Sequence, residues 1–239
     1  MRDRIVDELG DLAHRRFLVY LMGPYRAFDV EHVLQTEALE TVPESMDLET
    51  LADPETDRRE GQTRHRRGHE PVRSEATLDL LLELRDGLRT GPGVNAFLAI
   101  DVDVPLDELD AASQSIAFAR AANAVVYVVP AIGDNLGVGI EVGAVLEALF
   151  GGDDGEASDD EDGGEASDDG EDGPGGHHRE RVLFVHESGV HSAMIAAVRE
   201  RWEARVYRYE SRADLDRQLR LFVRDLIRKE RLGKLPRLG

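Results

Sequence analysis

Residues Ala124–Leu149 read AVVYVVPAIGDNLGVGIEVGAVLEAL, and this stretch indicates the fold. Its first part, Ala124–Val129, is an apolar run rich in β-branched residues, which is typical of a strand covered on both faces of a parallel sheet. Glycines then loosen the backbone before apolar residues recur at helical spacing. The glycines are Gly133, Gly137 and Gly139, and the helical stripe is Ile140, Val142, Val145, Leu146 and Leu149.

One carboxylate in this stretch is a candidate for chemistry. Glu141 is predicted in or near the first turn of the helix, where the helix dipole favours a negative charge. It also follows the carboxyl end of a strand, where open α/β sheets bind their ligands. Glutamate is common in first helical turns for purely structural reasons, so the position alone leaves both a nucleophile and an ordinary helix start open.

The rest of the chain continues the alternation of strands and helices. This pattern predicts a parallel sheet with right-handed crossovers. The predicted strands are Phe17–Met22, Ala96–Ile100, Ala124–Val129, Arg181–Val185 and Arg205–Tyr207, and the predicted helices are 1–15, 28–39, 75–88, 107–122, 140–149, 190–202 and 214–231. The polar side of the last helix is rich in arginine, whose charges are either solvated or meet an acidic partner.

The chain is acidic, with 49 Asp and Glu against 29 Lys and Arg in 239 residues. Removing the twelve acids of residues 151–178, a tract without Lys or Arg, changes the net charge from −20 to −8. Lysine occurs only at 229 and 234. Many acids with few lysines resemble the composition of salt-adapted, haloarchaeal cytosolic proteins, in which salt screens the repulsion between charges.

Two insertions are predicted within a single domain that spans residues 1–239. Residues 41–74 have few large apolar groups and suggest a mobile surface insertion, and residues 151–178 repeat the sequence GEASDD and suggest a disordered acidic one. The basic cluster Arg58–Arg73 has no aromatic platform and acidic neighbours, which argues against a nucleic-acid partner. His65 and His69 have no third ligand nearby, so no metal site is expected.

The composition excludes several other classes. Without cysteine there is neither a disulfide nor thiolate chemistry. No apolar run reaches about 18 residues and the first residues are charged, so we expect neither a membrane span nor a secretory signal, and we expect a cytoplasmic protein. The chain also lacks a lysine-bearing phosphate loop, which argues against a nucleoside triphosphatase.

Two motifs resemble the nucleoside 2-deoxyribosyltransferase family. The first strand ends in YLMGPY, residues 20–25, and the third is followed by GVGIEVGA, residues 137–144. The match covers the core of the chain, about 120 residues, a usual size for one domain. The resemblance implies a flavodoxin-like or Rossmann-like three-layer fold whose five-stranded parallel sheet has the order 2-1-3-4-5.

The resemblance also assigns roles to residues of the two motifs. Glu141 matches the family's nucleophile, Tyr20 the tyrosine that orients it, and Tyr25 the aromatic that packs on the base. Asn135, or Asp134 beside it, matches a polar position that contacts the sugar or base. The family completes its site across subunits, so the resemblance implies a homo-oligomer with a nucleoside or nucleotide ligand and without a metal or cofactor.

Two features of the family are not matched. The aspartate that handles the proton of the departing base corresponds to Ser115, and the stretch 188–194 lacks the asparagine that the family sends into a neighbouring subunit. His186, His191 or Asp134 would then have to supply the proton. Backbone N–H groups at Gly23, next to Pro24, or at Ser188 and Gly189 are candidate anion donors.

Three functions stay open on this basis. A carboxylate nucleophile suits an N-glycosidase or deoxyribosyltransferase that acts on the anomeric carbon. The missing aspartate favours a protein that binds a nucleotide-like ligand without turning it over. The acidic tract and the arginine-rich helix would suit an interaction module, because fold alone does not determine function.

Overall fold

The apolar runs form a five-stranded sheet in which every neighbouring pair of strands is parallel. The computed structural model describes residues 1–24, 70–131, 135–150, 179–190, 193–202 and 204–238. The strand order is β2-β1-β3-β4-β5, which confirms the predicted order. The strands are β1 (His14–Met22), β2 (Val94–Phe97), β3 (Ala124–Val129), β4 (Val182–Glu187) and β5 (Arg205–Tyr209).

Helices cover both faces of the sheet and make a three-layer α/β fold. The helices are α1 (Arg2–Leu9), α2 (Glu70–Thr90), α3 (Ala111–Ala121), α4 (Asn135–Phe150), α5 (Ala193–Arg201) and α6 (Arg212–Arg231), and a 3₁₀ turn spans Ala99–Asp101. Helices α2 and α6 pack on one face and form the first core. Helices α1, α3, α4 and α5 pack on the other face and form the second core.

Alternation along β1 shows how one sequence serves two cores. Val19 and Leu21 belong to the first core, whereas Leu18, Tyr20 and Met22 belong to the second. All of these side chains are buried. A strand that is apolar at every position, as predicted here, is what a sheet covered on both faces requires.

Several predicted boundaries differ from the structure. Helix α1 ends at Leu9 and β1 begins at His14, because Gly10 breaks the helix at φ 81° and His14 N–H donates to Gly93 O at 2.7 Å beside β2. Helix α2 begins at Glu70, so residues 70–74 are helical where an insertion was predicted. The predicted helix 28–39, the rest of the insertion at 41–69 and the acidic tract 151–178 lie outside the described residues.

A buried polar network holds the amino edge of the sheet together around Asn123, which is 1% exposed. Its Oδ1 accepts from Leu18 N–H at 2.9 Å and from Arg2 Nη2 at 2.8 Å, and its Nδ2 donates to Glu230 Oε1 at 2.9 Å. Arg181 Nη1 donates to the same Glu230 oxygen at 2.6 Å. The network joins α1, β1, β3, β4 and α6, and it gives both side-chain polar atoms of Asn123 the partners that a buried amide requires.

Candidate functional site

The carboxyl edge of the sheet has its switch point between β1 and β3, because the chain moves outward in opposite directions from these two strands. Ligands of open α/β sheets bind in the crevice at this point. The turn after β1 begins with Gly23, which packs tightly against its surroundings. A Cβ at this position would lie 2.9 Å from Leu81 Cδ1 and 3.2 Å from the Val128 carbonyl oxygen. Gly23 therefore lets the start of this turn approach β3, and Pro24 follows it.

Tyr20 is held rigidly beneath the switch point, with 1% of its surface exposed. Its ring stacks on Phe97 with centroids 5.1 Å apart and meets the edge of Phe118 at 5.7 Å. Its hydroxyl lies 3.5 Å from Ser115 Oγ, and Ser115 is itself buried on α3. Aromatic packing of this kind fixes the orientation of the phenol, which is what a positioning residue needs.

Helix α4 begins at Asn135, earlier than the sequence predicts. Gly137 and Gly139 therefore lie within the helix, and the predicted glycine turn is wrong at these positions. Glu141 stands in the second turn and not the first, so the dipole argument for its charge loses force. Packing of the helix on the sheet overrides the low helix propensity of glycine, which costs about 1 kcal/mol per residue.

Position 141 nonetheless lies on the same side of the sheet as Tyr20. Val142, Val145 and Leu146 of α4 belong to the second core, to which Tyr20 also belongs. Position 141 directly precedes Val142, so its backbone lies on the side of the sheet where Tyr20 is buried. The structure describes the backbone but not the side chains of residues 135–141, and Tyr25 and Asp134 lie outside the described residues. Convergence of Tyr20, Glu141 and Asp134 on one pocket therefore stays a prediction.

His186 lies farther along this sheet face, near the end of β4. It shares the face of Phe184, and its Nδ1 lies 3.1 Å from the Glu187 carbonyl oxygen. Strand geometry places its Cα about 16 Å from that of Tyr20, two strands across and four residues along. The side chains of His186 and Tyr20 are therefore too far apart to be in direct contact. His191 lies outside the described residues.

The loop after β4 only partly suits the predicted anion site. Ser188 N–H donates to the Tyr209 carbonyl at 2.8 Å, so the prediction that this group is available to an anion is wrong. Pairing with β5 explains the difference, since the loop is bonded to the end of the neighbouring strand. Gly189 has φ 97°, a left-handed conformation that suits glycine and lets the chain turn toward α5.

Two residues near this edge were not singled out from the sequence. Glu187 Oε2 accepts the N–H of Ala131 at 2.8 Å and so joins the loop after β3 to the end of β4. Tyr209 is 3% exposed, and its hydroxyl has no hydrogen-bond partner among the residues that the structure describes. Burial, with Glu187 nearby, raises the pKa of the Tyr209 phenol. The position of Glu187 directly after an apolar run was the available signal.

A second acidic residue, Asp101, organises the edge beyond β2. Its Oδ2 accepts the N–H of Leu98 at 2.9 Å, and its carboxylate pairs with Arg85 and approaches Arg89 at 3.7 Å. With 14% of its side chain exposed, Asp101 is largely buried among these cations. Its contacts tie α2 to the turn after β2, which is a structural role.

Among the residues that the structure describes, no three His, Cys, Asp or Glu side chains are grouped to hold a metal ion. In the same part of the chain, none of the helices combines the length and the apolar character that a bilayer crossing demands. An open groove of about 750 Å³ lies at the amino edge, beside Arg2, Arg120 and Arg237.

Comparison with known proteins identifies one family. Residues 2–239 match the family described as a domain of unknown function (DUF7509), and since the match spans nearly the whole chain, the chain belongs to that family. Searches of the curated proteins and of the solved structures find no significant match.

Proposed function

We propose that this member of the DUF7509 family cleaves or exchanges the N-glycosidic bond of a nucleoside or nucleotide, with Glu141 as the nucleophile. One observation supports the proposal most. In the order β2-β1-β3-β4-β5, the switch point brings β1, which carries the buried Tyr20, beside β3, and the helix after β3 carries position 141 on the same face.

The proposed reaction proceeds in two displacements at the anomeric carbon. A carboxylate oxygen of Glu141 forms a bond to C1′ while the C1′–N bond breaks, and its electron pair leaves with the base nitrogen, which takes a proton. Water, or a second base, then attacks C1′ and releases the carboxylate. Two displacements retain the configuration of the sugar.

In this scheme Tyr20 is a positioning residue. Its hydroxyl would donate to the carboxylate of Glu141, and its ring is already fixed by Phe97 and Phe118. The proton for the base would come from His186, Asp134 or water, because the group that faces the Tyr20 hydroxyl on α3 is Ser115. Salt adaptation and a site shared between subunits remain parts of the proposal.

The same contact favours a second candidate function. A serine cannot act as a general acid at neutral pH in the way that a carboxylic acid of raised pKa can. The Tyr20–Ser115 contact therefore also suits a protein that binds a nucleotide-like ligand at the switch point without cleaving it.

The test incubates the protein in high salt with a panel of deoxynucleosides and deoxynucleotides. Chromatography then measures the free base that is released. We expect Glu141→Gln to abolish release, because the amide is a poor nucleophile of the same shape. The matched control is Glu147→Gln on the same helix, because the side chain of Glu147 is 59% exposed and pairs with Arg201, which is exposed too. This control should retain release.

The outcomes separate the two candidates. Equal release by wild type and Glu141→Gln would remove Glu141 from the reaction. If no substrate releases base, but one of them raises the melting temperature, the binding function is correct, since a ligand at 100 times its Kd adds about 2.7 kcal/mol to stability. If neither effect occurs, both candidates are wrong.

A further inference from the structure

The exposed side of α6 carries a stripe of arginines that the proposed site does not use. Every exposed residue of this helix is an arginine, an alanine or a leucine, and none is acidic. We call this set the arginine stripe: Arg212, Ala213, Arg217, Leu221, Arg224, Arg228 and Arg231. In a chain of net charge −20, such a segregation of cations is a local exception.

The carboxylates of α6 do not neutralise the C-terminal half of the stripe, which contains Arg224, Arg228 and Arg231. Asp225 pairs with Arg205 and Lys229, and Glu230 pairs with Arg181. Among the described residues, no carboxylate forms an ion pair with the arginines at positions 224, 228 and 231. Three like charges therefore stand within about 10 Å along the helix axis, the rise of seven residues.

A groove runs along this half of the stripe. It has a volume of about 470 Å³ and lies between α6 and the turn that joins α2 to β2. Arg224, Arg228 and Arg231 line it together with Ile227, Leu232 and His14. Two leucines at the surface of this region are unusually open, Leu221 at 58% and Leu232 at 59% exposure. The surface thus combines cations, a concave shape and apolar contacts.

We propose that the arginine stripe and its groove bind an acidic peptide segment of a partner protein, one that carries apolar side chains between its carboxylates. Arginine forks pair well with carboxylates, and the two open leucines offer contacts that a sugar-phosphate backbone would not use. The stripe also lacks the aromatic side chains on which the bases of a single strand stack. The groove lies at the amino edge of the sheet, opposite the switch point, because His14 begins β1 and Leu232 follows α6.

The test measures binding of a labelled peptide of four Asp-Glu-Leu-Glu repeats by fluorescence anisotropy, in the lowest salt at which the far-UV spectrum of the protein is unchanged. We expect binding that weakens with salt, as contacts between exposed charges do. The double variant Arg224→Ser with Arg228→Ser should bind the peptide about tenfold more weakly. A peptide with serine in place of each leucine should also bind more weakly.

The matched control removes the same charge elsewhere, with Arg16→Ser and Arg199→Ser, both exposed and outside the stripe. We expect a change of less than twofold in this control. Equal losses in the two double variants would overturn the proposal, because they would show a response to net charge only. Absence of binding would overturn it too, and so would a single-stranded oligonucleotide that binds more tightly than the peptide. None of these readouts depends on glycosidase activity, so the proposed function and this inference can fail separately.

Discussion

Two buried asparagines test the polar network around Asn123 at the amino edge of the sheet, because the two side chains differ in how many of their polar atoms are hydrogen-bonded. Asn123 and Asn95 are 1% and 0% exposed, so their substitution by alanine removes similar packed volumes. Asn123 uses both of its side-chain polar atoms. Asn95 donates to Gly10 O and Arg15 O, but its buried Oδ1 has no partner within the described part of the chain. The two variants therefore differ mainly in which buried polar groups they leave without a hydrogen-bond partner.

We expect Asn123→Ala to lower the free energy of unfolding by about 3–5 kcal/mol, because it leaves a buried Leu18 N–H without an acceptor and removes hydrogen bonds to two charged groups, Arg2 and Glu230. Asn95→Ala should lower the free energy of unfolding by only about 1–2 kcal/mol. It removes a donor from the carbonyls of Gly10 and Arg15, and carbonyls that lack a partner are tolerated better than N–H groups that lack one. It also removes the unsatisfied Oδ1 of Asn95.

Urea unfolding followed by circular dichroism measures both values, and thermal melts should agree. For a chain of this length, 1 kcal/mol corresponds to about 2–4 °C, so the melting temperature should fall by about 6–20 °C for Asn123→Ala and by about 2–8 °C for Asn95→Ala. If the two substitutions lower stability equally, or the order is reversed, the amino-edge network does not contribute as its geometry implies.

Three further substitutions test the fold and its pH dependence. Gly23→Ala should destabilise by about 1–3 kcal/mol because its Cβ would meet Leu81 and the Val128 carbonyl, while Gly143→Ala, with nothing within 4 Å of a Cβ, should stabilise by about 0.5–1 kcal/mol in the same melts. Hydrogen bonds from Ser113 lower the pKa of Asp110 in the folded protein. The Asp110 carboxylate therefore stabilises the fold at pH values above its unfolded pKa, and this stabilisation is lost as the pH falls through its folded pKa. The stability difference between wild type and Asp110→Asn should vanish in acid, and an unchanged difference would contradict this. The raised pKa of Tyr209 gives the opposite pH dependence, because the fold loses stability as the pH rises above the ordinary pKa of a phenol. Tyr209→Phe should therefore unfold at a higher pH than wild type, and tyrosinate absorbance measures this unfolding.

The sequence was sufficient for the strands and helices that the structure describes, although not for their exact bounds. Apolar runs such as Ala124–Val129 predict strands buried on both faces, and alternation with amphipathic helices implies parallel strands with a known crossover hand. The order 2-1-3-4-5 was implied by the family resemblance that two short motifs carry, and the sheet confirms it. The period of side-chain burial is a local property, so it can be read from neighbouring residues alone.

Details of the candidate site depended on tertiary contacts. Helix α4 begins at Asn135 although Gly137 and Gly139 disfavour a helix, since packing against the second core outweighs their propensity. The N–H of Ser188 is bonded to Tyr209, which no local pattern indicates. Both outcomes depend on which distant segments meet.

The arginine stripe shows the same division between sequence and structure. The sequence alone determines that the last helix is amphipathic and rich in arginine, because the spacing of its apolar residues is local. Only the folded chain decides which of those arginines remain without a carboxylate, since Asp225 and Glu230 pair with Arg205 and Arg181 from other strands and loops. Charge pairing across the fold depends on distances that no stretch of sequence contains.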